Sequence, residues 1–252
     1  MRVGIEFSAP GSNRGCTSVE LGVRAEALGF DVCLVSGAPA NREPSDVVTD
    51  LAAATHRMTI GIVVDAFCDA STLERAAACA ADAAPGRVVL VTAAPASRFC
   101  RVDDVPVWID GGGAAALSAA ATSGSGWIAC VHRVEDYALI AGRFDRMVTR
   151  RAVSTPASPP ARAARFDVPR VLTTDELETL AWCGATTVVA RLPLALTGVG
   201  QLHRIAEELV PYAHSLDFAP LGSTPSAPSS SPVSSWRVDR PVTQRQARTQ
   251  IA

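Results

Sequence analysis

Val105-Pro-Val-Trp-Ile-Asp-Gly-Gly-Gly-Ala-Ala-Ala-Leu-Ser-Ala-Ala-Ala, residues 105–121, decides how this chain is read. An apolar run of strand length delivers three glycines to the start of an alanine-rich helix. Unpaired backbone N–H groups at a helix N-terminus, with the helix dipole behind them, make a place where an anion can sit. Gly111, Gly112 and Gly113 therefore admit two readings: a tight turn that serves only the fold, or a loop that holds a phosphate. The run is not the GxGxxG dinucleotide fingerprint, because Ala114, Ala115 and Ala116 follow directly, and no GxxxxGK[ST] pattern occurs. Asp110 works against the phosphate reading, since a carboxylate just before the bend repels an anion unless it turns away or caps the helix.

The same strand-then-helix order extends outward in both directions. Residues 3–7, 30–36, 58–64, 87–92, 107–109 and 126–131 are short apolar runs, and between most of them lie segments with helical spacing, such as Leu21, Ala25 and Leu28 on one face of 18–28. Further helices are expected over 46–55, 71–84, 114–122 and 134–147. Residues 151–165 carry three prolines and little that builds a core, so they read as a surface loop. Alternation resumes with a strand at 168–172, a helix opened by Thr173 and Glu176, a strand at 185–192 and a last helix over 199–212. Continuous apolar strands alternating with helices imply a parallel α/β sheet, either closed as a barrel or open and doubly wound. One domain over 1–218 is expected, followed by a Ser/Pro-rich and then basic tail over 219–252 with too few apolar residues to offset the entropy of ordering.

Composition narrows the function classes. A net charge of -2, with 23 Lys plus Arg among 252 residues, gives no broad electrostatic reason to expect nucleic acid as a partner. The seven cysteines are scattered without a CxxC pair, which suits free thiols in a reducing compartment, and a cytoplasmic location is expected. The opening residues lack the long apolar core of a signal peptide, and no apolar run reaches the length of a membrane span.

In parallel α/β folds, ligands gather beyond the carboxyl ends of the strands, so the residues that follow each strand are the candidates. His132, beside Arg133 after the strand at 126–131, is read either as a group that moves a proton or as a polar strand-end residue. His56, after the helix at 46–55, is read as a C-cap or solvated residue, and His203 and His214, on or after the last helix, are read as non-catalytic. Asp65 and Asp69 form a loop pair, read as solvated or as a cation or amine site. No GxSxG, HExxH or CxxC pattern supports a hydrolase or a metal site.

The order and spacing of these pieces resemble the luciferase-like oxidoreductases that depend on a flavin or on the deazaflavin F420. The matching stretches are Ser18-Val-Glu-Leu-Gly-Val-Arg-Ala-Glu-Ala-Leu-Gly-Phe-Asp-Val-Cys-Leu-Val-Ser and Asp50-Leu-Ala-Ala-Ala-Thr-His-Arg-Met-Thr-Ile-Gly-Ile-Val-Val. To these add the opening stretch prolonged to Gly126-Trp-Ile, and Gly184-Ala-Thr-Thr-Val-Val. The resemblance implies a TIM-barrel-like (β/α) fold, F420 or FMN as cofactor, a small organic substrate and a dimer. It implies that Gly111, Gly112 and Gly113 hold the cofactor phosphate and that Val63 and Val64 lie under the ring. His132 is the residue read as moving the proton. Two departures bear on this. Gly37 and Ala38 stand where the family has polar groups, and only about fifteen residues separate the run at 87–92 from that at 105–109. A βα unit takes about 30 residues, so a truncated or incomplete barrel is expected, its open edges covered by a second copy or another partner. A member that kept the scaffold and lost its chemistry, binding a cofactor or a protein, is the alternative.

Overall fold

The computed structural model describes residues 1–8, 17–36, 44–64, 70–93, 105–123, 126–151, 160–168, 170–192 and 199–216. Its elements run β1 (Arg2–Ser8), α1 (Ser18–Ala27), β2 (Val32–Ser36), α2 (Pro44–Ala54), β3 (Thr59–Val64), α3 (Ala70–Ala83) and β4 (Val88–Ala93). They continue through β5 (Val107–Asp110), α4 (Ala114–Ser123), β6 (Gly126–Cys130), α5 (Val134–Arg151), β7 (Ala161–Asp167), α6 (Thr174–Trp182), β8 (Thr187–Leu192) and α7 (Val199–Ser215). The eight strands are all parallel, each pairs with its neighbour in sequence, and β8 returns to pair with β1.

This closure corrects the expectation of an incomplete barrel. The short stretch between β4 and β5 removes no strand from the ring: Leu90 pairs with Val107 and Val91 with Trp108 across it. A closed ring also has no free strand edge for a partner to cover. The second correction concerns the proline-bearing segment. Strand β7 occupies Ala161–Asp167, inside and just beyond the expected loop, whereas the described residues of 168–172 carry no strand. Hydropathy hides this strand because its two arginines are buried with partners. Arg162 lies over the Phe144 ring at 5.3 Å and donates to Asp145 at 2.5 Å, while Arg165 points into the barrel. The expected tail, the Asp65–Asp69 pair and Gly37–Ala38 lie outside the described residues.

Alternation along each strand sorts side chains into two clusters. One face packs under the helices and includes Val3, Ile5, Phe7, Ile60 and Trp127, with Trp127 stacked on Tyr137 and Phe144 at 5.2 and 5.4 Å. The other fills the barrel with Val32, Leu34, Val89, Val91, Trp108, Ile128, Ala163 and Val189. Two glycines make room for the bulkiest of these. A Cβ on Gly126 would stand 2.3 Å from Trp108 Cδ1, and one on Gly61 would stand 2.2 Å from Leu34 Cδ2. The interior is therefore plugged in its middle layers, and Glu6, Ser8, Ser36, Asp110, Arg165, Asp167 and Arg191 stand toward the carboxyl end.

Candidate active site

Glu6 of β1 and Arg165 of β7 follow from strand periodicity, since each lies on the barrel-facing set of its strand. Arg165 Nη1 donates to Glu6 Oε2 at 3.1 Å and Nη2 to Asp110 Oδ2 at 2.6 Å, so one guanidinium clamps two carboxylates from strands on either side. Glu6 is 2% exposed and Arg165 5%, which makes this a buried cluster rather than a surface bridge. Burial pushes the Glu6 carboxyl above the usual carboxylate range, against the pull of Arg165. On Arg165, burial works against the charge, but Glu6 and Asp110 outweigh it and hold the guanidinium more firmly charged.

Two further pairs stand at the rim. Arg191 of β8 donates through Nε and Nη2 to the two oxygens of Asp167, at 2.5 and 2.9 Å. That hydrogen bonding holds Asp167 below the usual carboxylate range despite partial burial, with the charges of Arg191, His132 and Arg165 adding to it. Ser8 and Ser36, register partners on β1 and β2, share a hydrogen bond of 3.2 Å. All these groups, with Val63, Val168 and Leu192, line one cavity of about 540 Å³ at the carboxyl mouth of the barrel, a volume within the range of small-molecule sites.

The glycine bend directly follows Asp110 at the carboxyl end of β5, although Gly111, Gly112 and Gly113 are not among the residues lining the cavity. Gly111 has φ +127°, a backbone that disfavours any side chain. Its N–H donates to Ile128 O at 2.9 Å and its carbonyl accepts from Trp127 Nε1 at 2.7 Å, so the bend is pinned to β6 from both sides. Gly113 O accepts from Leu117 N at 3.0 Å, which makes Gly113 the N-cap of α4. The three glycines are not equivalent. A Cβ on Gly112 would stand 2.7 Å from Ile140 Cδ1, whereas one on Gly113 meets nothing within 4 Å. Gly113 is exposed and open; Gly112 is closed by α5. Asp110, the residue that opposed an anion in the sequence reading, turns away from the bend and is paired by Arg165.

His132 lies after β6, exposed, and is not among the residues lining the mouth, although its charge bears on Asp167. Its carbonyl accepts from Arg170, which also pairs with Glu176, the N3 residue of the capping box that Thr173 opens at α6. Val63 lines the cavity and Val64 packs against the helix-side core. His56 and His203 are exposed or engaged elsewhere, with His203 accepting from Arg24, and His214 pairs with Asp31 before β2. Sequence reasoning missed Glu6, Arg165 and Asp167 as site residues. A lone acid inside the apolar run 3–7 and the i, i+2 spacing of Arg165 and Asp167 were the available signals. Among the described residues no group of three or more His, Cys, Asp or Glu could hold a metal ion, and no helix is long and apolar enough to cross a membrane.

No protein-family model and no curated protein matches the chain. The fold is similar to those of several solved enzymes. An F420-dependent secondary alcohol dehydrogenase, in complex with an F420–acetone adduct, aligns at 13% identity over 84% of this chain and 98% of its own, with a TM-score of 0.64. The EDTA monooxygenase from Chelativorans sp. BNC1 aligns at 11% identity over 85% of this chain and 93% of its own, with a TM-score of 0.64. A tryptophan synthase from M. tuberculosis also aligns, at 13% identity over 84% and 94%, with a TM-score of 0.56. Identities this low show a shared TIM-barrel fold, and that fold serves unrelated chemistries.

Proposed function

We propose that the chain is an oxidoreductase of the luciferase-like class that uses F420 or FMN on a small organic substrate. The observation that carries this reading is the open face of Gly113 at the N-terminus of α4, in the bend that follows Asp110, a residue of the polar cavity whose carboxylate is paired by Arg165. The residues present fit such a group. The cavity has the volume for a ring, Val63 offers it an apolar contact, and the amides of Gly112 and Gly113 offer a phosphate hydrogen bonds and the positive end of the α4 dipole. When bound, a reduced flavin or deazaflavin supplies a hydride or activates oxygen.

The chain's own residues then bind, orient and move protons. Gly113 leaves space for the phosphate, and Trp127 holds the bend in place through the Gly111 carbonyl. Arg165 keeps Asp110 from repelling that phosphate. Val63 forms the apolar edge of β3 for the ring, whereas Val64 supports it from the helix-side core. Asp167, fixed by Arg191, presents a charged rim next to His132, whose imidazole exchanges a proton with solvent or substrate. The alternative of a binding scaffold without turnover draws on one observation: the charged groups of the mouth are largely paired with one another.

The test is a fluorescence titration of the purified chain with F420 and with FMN, alongside Gly113→Asp. Aspartate is a better N-cap than glycine and meets no neighbour at this position, so the variant folds at least as stably, yet its carboxylate sits where the phosphate would. Binding of one cofactor that weakens at least tenfold in the variant supports the reading. Absence of binding at about 100 μM of either, or unchanged affinity in Gly113→Asp, overturns it. Cofactor binding without turnover on a panel of alcohols and aldehydes selects the scaffold alternative.

A further inference from the structure

Glu6 and Asp110 each commit one oxygen to Arg165: Oε2 accepts from Nη1 at 3.1 Å and Oδ2 from Nη2 at 2.6 Å. Their second oxygens, Oε1 and Oδ1, have no hydrogen-bond partner among the described residues. The described side-chain atoms that are both sealed and unpaired are Tyr137 Oη, Arg165 Nε and Gln201 Nε2. Oε1 and Oδ1 are unpaired without being sealed, so both keep surface on the cavity that Glu6 and Asp110 line. Glu6 as a whole is 2% exposed, which makes Oε1 a buried acceptor reached through the mouth. A buried carboxylate oxygen calls for a donor, because leaving a charged acceptor unpaired there is costly.

Charge decides what kind of donor. Three carboxylates, Glu6, Asp110 and Asp167, face two guanidiniums, Arg165 and Arg191, in the described lining, an excess of one negative charge. Burial pushes the Glu6 carboxyl upward, Arg165 and Arg191 pull it back, and the Asp110 charge adds to the rise, so the two carboxylates repel each other across the guanidinium they share. A cation set against both free oxygens cancels the excess and relieves that repulsion where screening is weak, whereas an anion adds to it. A metal ion does not meet the geometry. Among the described residues no group of three or more His, Cys, Asp or Glu could hold one, and a cavity of about 540 Å³ is far larger than a single ion. Val63, Val168 and Leu192 supply an apolar wall, which suits a hydrocarbon body carrying the charge. Ser8 follows Glu6 by two residues on the same face of β1 and shares a hydrogen bond with Ser36, so a hydroxyl acceptor stands one step nearer the mouth than Glu6.

We infer that the mouth binds a protonated primary amine with an apolar body, its ammonium donating to Glu6 Oε1 and Asp110 Oδ1, and that it discriminates against neutral and anionic compounds of the same shape. An ammonium carries three donors, which match the two carboxylate oxygens and a serine hydroxyl. The inference names the substrate class of the proposed oxidoreductase, and it rests on that reading for the mouth being the substrate site.

Four cyclohexyl probes test it on the full chain at pH 8 by saturation-transfer NMR: cyclohexylammonium, cyclohexyltrimethylammonium, cyclohexanol and cyclohexanecarboxylate. The primary ammonium is expected to bind at least tenfold more tightly than the alcohol and the carboxylate. It is expected to bind at least threefold more tightly than the trimethylammonium ion, which keeps the charge and has no N–H. Asp110→Asn keeps an oxygen for Arg165 and removes one negative charge, and is expected to narrow the ratio of ammonium to alcohol affinity at least threefold; a merely loosened mouth lowers both affinities and leaves the ratio as it was. Alcohol, carboxylate or trimethylammonium binding as tight as that of the primary ammonium, no ammonium binding at about 10 mM, or an unchanged ratio in Asp110→Asn overturns the inference. The probe comparison on the parent chain decides it even if Asp110→Asn fails to fold. The cofactor titration on the same samples separates the two claims. Cofactor binding without ammonium binding defeats this inference alone, and ammonium binding without cofactor binding defeats the oxidoreductase reading while the amine site stands.

Discussion

Replacing Arg165 with methionine tests the buried cluster directly. Methionine keeps much of the apolar stem and removes the guanidinium, leaving Glu6, whose side chain is 3% exposed, and Asp110, 20% exposed, without their shared partner. Removing one member of a buried ion pair costs about 3–5 kcal/mol, because the remaining charge stays in low dielectric. At about 2–4 °C per kcal/mol for a domain of this size, the melting temperature falls by about 10 °C. The loss depends on pH with a definite sign. Burial already raises the Glu6 carboxyl above its usual range and Arg165 opposes that rise, so the variant's folded-state pKa lies higher still. A group with a raised folded pKa favours the folded state when protonated, and that contribution is lost as pH rises through the folded value. The deficit of Arg165→Met is therefore largest near pH 8 and shrinks toward pH 5. Adding Glu6→Gln to the variant removes the stranded charge and restores at least half of the loss at pH 8. Urea unfolding followed by circular dichroism at both pH values measures all of this. A deficit below about 1 kcal/mol at pH 8 is too small for a stranded buried charge, and it would refute the reasoning. So would a deficit equal at both pH values.

Gly111→Ala is expected to cost about 1–3 kcal/mol, since a side chain at φ +127° is strained and its Cβ would stand 3.3 Å from Ala116 Cβ; unfolding within error of the parent would refute the pinned bend. Glu26 is a staple between α1 and the entry to β3. Its carboxylate accepts the N–H groups of His56, Arg57 and Met58 at 2.6–3.0 Å. Burial pushes its pKa up, but the three backbone donors outweigh that and hold it below the usual range. Stability from this group is present above the unfolded value and lost as pH falls through the folded one. Glu26→Gln should therefore cost about 1–3 kcal/mol at pH 7 and little at pH 3, as thermal melts at the two values would show.

Most of the barrel was legible because its strands obey simple rules. Stretches such as 60–64 and 88–91 are apolar throughout, as buried parallel strands must be, and α6 announces itself through Thr173 and Glu176, whose capping box forms as spaced. The glycine bend was legible too, down to the problem posed by Asp110. Two features were not. The closure of the ring was obscured by counting residues between β4 and β5, when closure is set by pairing and a connection can shorten without deleting a strand. Strand β7 was obscured by its composition: Ala-Arg-Ala-Ala-Arg-Phe-Asp after prolines looks solvated, because local pattern cannot tell an exposed arginine from one whose partners come from residues 6 and 110.

That second failure has a physical cause that also points to function. Charged side chains enter a barrel interior only when paired, and pairing here requires carboxylates from three strands far apart in sequence to converge on two arginines. A hydrophobic plug of the same volume would stabilise the mouth at least as well, as replacements of buried ion pairs often do. A fold selected for stability alone has no use for Glu6 beneath the mouth, nor for an Arg165 donor that no described residue accepts. The positions where the sequence rules break are those that line the cavity, which is where departures from local consistency are expected when a site has to meet a ligand.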